Sequence, residues 1–128
     1  MLPGSRDRSQ TGTVLLVYFR PDTGPIWHAT LDTFPAGTVW GTIENNSLHI
    51  RSMAVLPSAR GFGIGLSLLQ HAEEFALANN CNRLHLSTPQ FLARAIKLFR
   101  RFGFRDYDTG SLHGTPIILM EKLLSTPA

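Results

Sequence analysis

The chain has 128 residues, of which 43% are hydrophobic and 16% are charged, and its formal net charge is +3. This length favours one globular domain, which we place at 13–125 after a flexible tail over 1–12. The longest apolar run, Val14–Phe19, is too short to span a membrane, and the polar N-terminus does not resemble a signal peptide. The single cysteine, Cys81, excludes a disulfide framework within one chain and favours a cytoplasmic protein with this thiol buried.

Short runs of β-branched and aromatic residues predict four strands in the first half of the chain. These strands cover 13–19, 26–31, 38–44 and 48–55. Turns are predicted at Pro21-Asp22-Thr23-Gly24 and at the hairpin Asn45-Asn46-Ser47, and Pro35-Ala36-Gly37 is predicted to interrupt the chain between strands.

In the second half the apolar residues change to helical spacing. A helix is predicted from Ile64 to the stop at Asn79-Asn80, followed by a strand over 83–87. A second helix over 91–102 ends at Gly103, and two strands close the chain. This order of elements predicts a mixed α/β layer fold.

The most informative segment, 55–65, is predicted to be a strand end, a short loop and the start of a helix with alternating glycines. The first turn of a helix has unpaired N–H groups and partial positive charge, so it suits phosphate or pyrophosphate, and Arg60 adds a fixed charge. The Gly-Lys-Ser/Thr ending of a Walker A loop is absent, and the glycines run G-x-G-x-G rather than G-x-G-x-x-G. The alternative is a glycine turn that binds nothing.

The pattern Arg60-x-x-Gly63-x-Gly65 resembles Q/R-x-x-G-x-G/A, the acetyl-coenzyme A loop of the GNAT acetyltransferase superfamily. Downstream, residues 95–104 resemble the family block A-x-x-L-Y-x-x-x-G-F. The two blocks occur in the family's order, and the resemblance covers residues 48–104. The closing stretch 112–120 is similar to that of small bacterial and fungal members.

This resemblance implies a mixed, mainly antiparallel central sheet flanked by helices, with a short N-terminal part. It implies an N-acetyltransferase that moves an acetyl group from acetyl-CoA to a primary amine by direct attack in a ternary complex. The Val55 N–H is expected to contact the thioester carbonyl and to stabilise its oxyanion. The residues expected to bind the cosubstrate are Met53, Ala54, Val55, Arg60, Gly61, Phe62, Gly63, Ile64, Gly65 and Phe99.

The sequence departs from the family pattern at two positions. The tyrosine that protonates the leaving thiolate in many members corresponds to Phe99, which has no hydroxyl, and a common asparagine corresponds to Leu92. Water, or Tyr107 if the fold brings it close, is the expected proton source. As general base we consider Glu44, before the fourth strand, and His49, within that strand. Each of these three polar residues has the alternative of an ordinary surface position.

Two further groups of residues carry alternative interpretations. The five histidines show no ligand spacing, so no metal is predicted. Trp27 and Trp40 either line an acceptor cleft or pack within the sheet. Five cations either meet the ribose phosphate of coenzyme A or form a solvated helix face: Arg94, Lys97, Arg100, Arg101 and Arg105.

The short segment before the fourth strand leaves the acceptor site undecided. The family places two acceptor-binding helices there, and none is predicted here. The site is then either open, which suits a peptide end or lysine, or completed by a second subunit in a homodimer; a closed site suits a small amine. Neither nucleic acid nor a membrane is predicted as a partner. The alternatives to an enzyme are a coenzyme A-binding regulatory module without turnover and, less favoured, a nucleic-acid binder using the basic helix.

Overall fold

The computed structural model describes residues 14–19 and 24–124. Within these residues the elements follow the predicted order of four strands, helix, strand, helix and two strands. The strands are β1 (Val14–Phe19), β2 (Ile26–Leu31), β3 (Phe34–Glu44), β4 (Ser47–Val55), β5 (Arg83–Pro89), β6 (Arg105–Leu112) and β7 (Thr115–Leu123). The helices are α1 (Ile64–Ala78) and α2 (Ala93–Phe102), and a 3-10 turn covers Pro57–Ala59. The predicted tail and the turn at 21–23 lie outside the described residues, and the domain bounds 13–125 stay a prediction.

Three hairpins are closed by two-residue turns in which both residues have positive φ: Asp32-Thr33, Asn45-Asn46 and His113-Gly114. This conformation matches the twist of antiparallel strands. Only the Asn45-Asn46 turn was predicted. The expected interruption at Pro35-Ala36-Gly37 is wrong, because β3 begins at Phe34 and passes through this segment with a register shift opposite Ala29 and Thr30. A proline is tolerated in a strand at such an irregularity.

The strands form one seven-stranded sheet in the order β1-β2-β3-β4-β5-β7-β6. Every neighbouring pair is antiparallel except β4 and β5, which are parallel. These two strands pair only from Ser47–Arg83 to His49–His85, and within the described residues β4 then continues without a partner on that edge. The sheet therefore opens between β4 and β5 at the level of the two histidines.

Both helices pack on the same face of the sheet. Lys122 of β7 reaches both of them: its Nζ is 2.6 Å from Glu73 Oε1 of α1 and 4.0 Å from the ring centroid of Phe102 in α2. The hydrophobic core lies between this face and the helices, and it includes Leu48, Leu68, Leu84 and Met120. Cys81 is fully buried in it, as predicted, and burial raises the pKa of its thiol. No helix in 14–19 or 24–124 is long and apolar enough to cross a membrane.

The other face of the sheet carries a polar network across its middle strands. Arg83 of β5 and Arg105 of β6 both bind Glu121 of β7, at 2.8 and 3.1 Å. Glu44 and His49 form a second group on the same face, next to the point where β4 and β5 part. We call this surface the polar face; its members are Glu44, His49, Arg51, Arg83, His85, Arg105 and Glu121.

Candidate functional site

The glycine-rich loop leads from β4 into the first turn of α1. Gly61 and Gly63 have φ of 89° and 74°, in the left-handed region that favours glycine. Gly63 is the N-cap of α1, no side chain caps the helix, and the first turn has no acidic residue. The first intrahelical bond runs from the Ser67 N–H to the Gly63 carbonyl at 3.0 Å, so the preceding N–H groups lie outside the helical ladder. This geometry is that of an anion site at a helix N-terminus.

Gly63 and Gly65 serve different purposes, although the glycines were predicted to act together in allowing a ligand to approach the backbone. A Cβ atom on Gly63 would meet nothing within 4 Å. A Cβ atom on Gly65 would lie 2.7 Å from Leu98 Cδ2 of α2 and 3.3 Å from Met53 Cε. The space that a side chain at Gly65 would need is thus already occupied by Leu98 and Met53. Gly65 allows α1, α2 and β4 to pack closely, whereas Gly63 leaves its surroundings open to a ligand.

We expect Gly65→Ala to destabilise the fold by about 1–3 kcal/mol, because the added methyl group overpacks the contact with Leu98. Urea denaturation of the variant and of the parent measures this difference. The double variant Gly65→Ala/Leu98→Ala is the matched test: relief of the overlap should make it more stable than the sum of the single changes predicts. Strict additivity of the two effects would contradict the packing role of Gly65.

The backbone of β4 lies directly beside this helix start. Met53, Ala54 and Val55 pair with β3 on one edge, while their other edge is past the last rung shared with β5. The Met53 and Val55 side chains are the neighbours that a Cβ atom on Gly65 would meet besides Leu98. The residues expected to bind acetyl-CoA therefore converge on the opening between β4 and β5. Only Phe99 is placed differently, as described below.

The two candidate bases contact each other. His49 Nδ1 lies 3.4 Å from Glu44 Oε2, and the same oxygen accepts hydrogen bonds of 2.8 Å from Thr42 Oγ1 and from Arg51 Nη2. The His49 ring also stacks on the ring of His85, with centroids 4.3 Å apart and planes inclined by 20°. His85 was not among the site residues predicted from the sequence. Its position is decided by the parallel pairing of β4 with β5, for which neither local sequence carries a signal.

The charges on this group follow from its contacts. The hydrogen bond from Thr42, together with His49 and Arg51, lowers the pKa of Glu44, so its carboxylate is a weak base at neutral pH. Burial, reinforced by the nearby His49 and Arg83, lowers the pKa of His85 to about 4. His85 is therefore a neutral imidazole at pH 7.

Ligand-type atoms of Glu44, His49 and His85 all lie within 4.8 Å of one another. The arrangement is nevertheless poorly suited to a metal ion. An imidazole nitrogen directs its lone pair within the ring plane, and two stacked rings cannot both direct a lone pair at one ion. The Glu44 carboxylate is also engaged by the Arg51 guanidinium. The contact is better described as ring packing than as coordination.

Three aromatic residues that the sequence singled out are held by contacts with other parts of the protein. Phe99 is 7% exposed and packs edge-on against Phe104, with ring centroids 5.8 Å apart. Tyr107 lies on β6, separated from β4 by two strands, and the Arg83 guanidinium covers its ring at 5.0 Å. Trp27 is buried against Phe75 of α1. The fold therefore does not bring Tyr107 close to the candidate bases.

The basic stretch of the second helix does not form one patch. Arg100 pairs with Asp106 of β6 at 2.8 Å, and Arg105 pairs with Glu121 on the polar face. Lys97 and Arg101 line a shallow groove of about 730 Å³ beside Ile118 of β7. The cations are thus divided between two faces of the sheet, which weakens their interpretation as a single phosphate or nucleic-acid contact.

The seven-stranded sheet, its opening between two parallel strands and the glycine-rich helix start can be compared with acetyltransferases of known structure. One of them, an acetyltransferase from Bacillus anthracis str. Ames solved with acetyl coenzyme A, is superposable with a TM-score of 0.77 at 21% identity, covering 84% of this chain and 66% of that one. The sequence pattern of the Acetyltransferase (GNAT) family matches residues 4–104. The chain belongs to this family.

Individual relatives resemble this chain over part of their length. The streptothricin acetyltransferase of Streptomyces lavendulae is 40% identical over 60 residues, which are 47% of this chain and 32% of that protein. The crystal structure of nourseothricin acetyltransferase has a TM-score of 0.75 at 26% identity, over 84% of this chain and 69% of that one. The matched stretches span 32% to 51% of the first three curated relatives.

Proposed function

We propose that the protein is an N-acetyltransferase that transfers the acetyl group of acetyl-CoA to a primary amine by direct attack in a ternary complex. The observation that carries this proposal is the uncapped start of α1 beside the edge of β4 that has no strand partner among residues 14–19 and 24–124. These two features offer backbone donors to an anionic and to an extended ligand, respectively. Relatives named for streptothricin and for thialysine N-epsilon acetylation support an amine acceptor.

In this proposal the segment from Gly61 to Gly65 binds the pyrophosphate through backbone N–H groups, with Phe62 and Ile64 contributing main-chain contacts. The Arg60 N–H donates to the Pro57 carbonyl at 3.3 Å, so Arg60 contributes its side-chain charge instead. The pantetheine arm pairs with Met53, Ala54 and Val55 as an added strand would. The Val55 N–H donates to the thioester carbonyl and stabilises the oxyanion formed on attack. The packing of Phe99 against Phe104 limits Phe99 to supporting the wall of this site.

We assign the general base to His49 and an orienting role to Glu44. An alkyl amine has a pKa near 10, so only about one part in 10³ is neutral at pH 7 and a base is needed. The carboxylate of Glu44 is a weak base, but it is well placed to accept the Nδ1–H of His49, which leaves Nε2 free to take a proton. The amine nitrogen bonds to the thioester carbon, the C–S bond breaks, and the thiolate takes a proton from water.

We expect Phe99→Tyr to keep or slightly raise turnover, because it restores the hydroxyl of the family at this position. The gain is limited since a thiolate leaves readily without an acid. The measurement is coenzyme A thiol release at saturating acetyl-CoA. Phe104→Tyr, which adds the same hydroxyl to the neighbouring buried ring, is the control. A large fall in rate for a folded Phe99→Tyr protein would contradict the correspondence with the family tyrosine.

A coenzyme A-binding regulatory module without turnover is the second candidate, and the absence of a hydroxyl at Phe99 favours it. Calorimetric titration with acetyl-CoA, alongside thiol release with a panel of small amines and lysine peptides, distinguishes the two. Binding with turnover supports the enzyme, and binding alone supports the module. The absence of both binding and turnover contradicts the two candidates.

The same panel assigns the acceptor as a small amine or a peptide. Measurement of the molecular mass by analytical sedimentation tests the proposed homodimer. We propose a cytoplasmic location from the single, buried cysteine.

A further inference from the structure

The last paired position of the parallel strands β4 and β5 carries two histidines whose imidazole rings are stacked. His49 and His85 face each other across the final paired position of β4 and β5, beyond which the strands part. The stack is close and nearly parallel. His49 keeps 21% of its side-chain surface exposed, so its ring remains accessible from solvent. The backbone of His85 is fixed on its other edge by the antiparallel pairing of β5 with β7, in which His85 lies opposite Glu121.

We propose that His85 is a positioning residue for His49: its stacked ring fixes the plane of the His49 ring so that Nδ1 faces Glu44 and Nε2 stays free to accept the proton of the acceptor amine. This inference rests on the proposed function, in which His49 is the base. It assigns a role to His85 of β5, a residue that belongs neither to the glycine loop nor to the family block at residues 95–104.

The arrangement restricts the His49 ring on two sides. Glu44 Oε2 contacts an edge of the ring at Nδ1, and His85 covers one of its faces. A carboxylate alone allows the imidazole to tilt about the hydrogen bond, since hydrogen bonds tolerate a broad range of angles. A stacked ring removes most of this freedom because tilting would break the face-to-face contact. The two contacts together define both the tautomer and the orientation of the base.

The charge state of His85 suits this role. When His49 accepts a proton it becomes an imidazolium, and a second cation against its face would oppose that step. The charged groups around the pair are already matched: Arg51 binds Glu44, and Arg83 binds Glu121. Burial then keeps His85 neutral, with a pKa of about 4. A neutral ring can remain stacked on His49 before and after the proton transfer.

The test compares His85→Phe, which keeps a ring for stacking, with His85→Ala, which removes it. We expect His85→Ala to lower kcat about 10- to 100-fold with little change in the KM for acetyl-CoA, because misplacement of a reacting group costs this much in rate. We expect His85→Phe to keep most of the parental rate. His71→Ala, which removes a half-buried imidazole from α1, is the matched control and should leave kcat unchanged.

Nitrogen-15 NMR of the His49 ring gives a readout that does not depend on turnover. In the parent and in His85→Phe we expect one tautomer, protonated at Nδ1, and in a folded His85→Ala protein we expect a mixture of tautomers. An unchanged tautomer and rate in His85→Ala would overturn the proposal. Equal losses in His85→Phe and His85→Ala would also overturn it, because the nitrogens rather than the ring face would then matter. A parent that shows one tautomer but acetylates no amine would instead refute the proposed function.

Discussion

Gly63→Asp is expected to weaken acetyl-CoA binding by about 100-fold or more, because a carboxylate at the start of α1 repels the pyrophosphate and like charges in contact cost several kcal/mol. The position is suited to this test. Apart from the adjacent backbone, a Cβ atom at Gly63 meets no protein atom within 4 Å, so a packing defect at this atom is not expected. Calorimetric titration with acetyl-CoA measures the change in Kd.

The matched control is Gly63→Asn, which has nearly the same shape as aspartate without its charge. Both residues tolerate the left-handed conformation that Gly63 adopts at φ 74°. Any loss of stability from backbone strain should therefore be similar in the two variants, and thermal unfolding checks it. If asparagine and aspartate reduce affinity equally, bulk rather than charge matters and the helix start is not the pyrophosphate site. Unchanged affinity in both variants would contradict the site altogether.

His49→Gln is expected to lower kcat/KM by about 100-fold or more, the usual contribution of a positioned general base. In the parent we expect kcat/KM to rise with pH through the neutral range, since the acceptor reacts only after losing its proton and the base acts only when unprotonated. Removal of the imidazole should flatten this rise. Profiles of kcat/KM against pH, measured with an acceptor from the amine panel, give the comparison.

Glu44→Gln separates the two roles assigned to the pair. Glutamine keeps an oxygen that can accept the Nδ1–H of His49 but removes the negative charge of the carboxylate. We expect a smaller loss than for His49→Gln, about 10-fold, with part of the pH dependence retained. A larger loss for Glu44→Gln than for His49→Gln would make the carboxylate the base. Superimposable profiles for the parent and both variants would exclude both residues and point to water or another group.

The architecture was largely predictable because its signals are local. The change from alternating apolar residues to helical spacing after Pro57 identifies the boundary between the first four strands and α1. The hairpin at Asn45-Asn46 was recognisable because asparagine readily adopts positive φ. Asp32-Thr33 closes a hairpin of the same kind, but threonine disfavours this conformation. There the pairing of β2 with β3 prevails over local preference.

The glycine loop shows where prediction of a site reaches its limit. A pattern of glycines indicates positions that cannot carry a side chain, but it does not tell whether a ligand or the protein occupies the space. Gly63 faces open space, and Gly65 faces Leu98 of the second helix. That difference depends on how α1 and α2 pack, which is a contact between segments distant in the chain. The same reason explains why two of the basic residues of 94–105, Arg100 and Arg105, form ion pairs on different faces of the sheet.

The order of elements, the family and the segment proposed to bind an anion follow from local sequence, because each depends on residues close together in the chain. Tertiary structure decided the composition of the polar group at the opening of the sheet. His85 joins His49 and Glu44 only because β4 and β5 pair in parallel, and strands so joined are connected through a helix. Register between such strands follows from the packing of that helix on the sheet, which no local pattern of residues specifies.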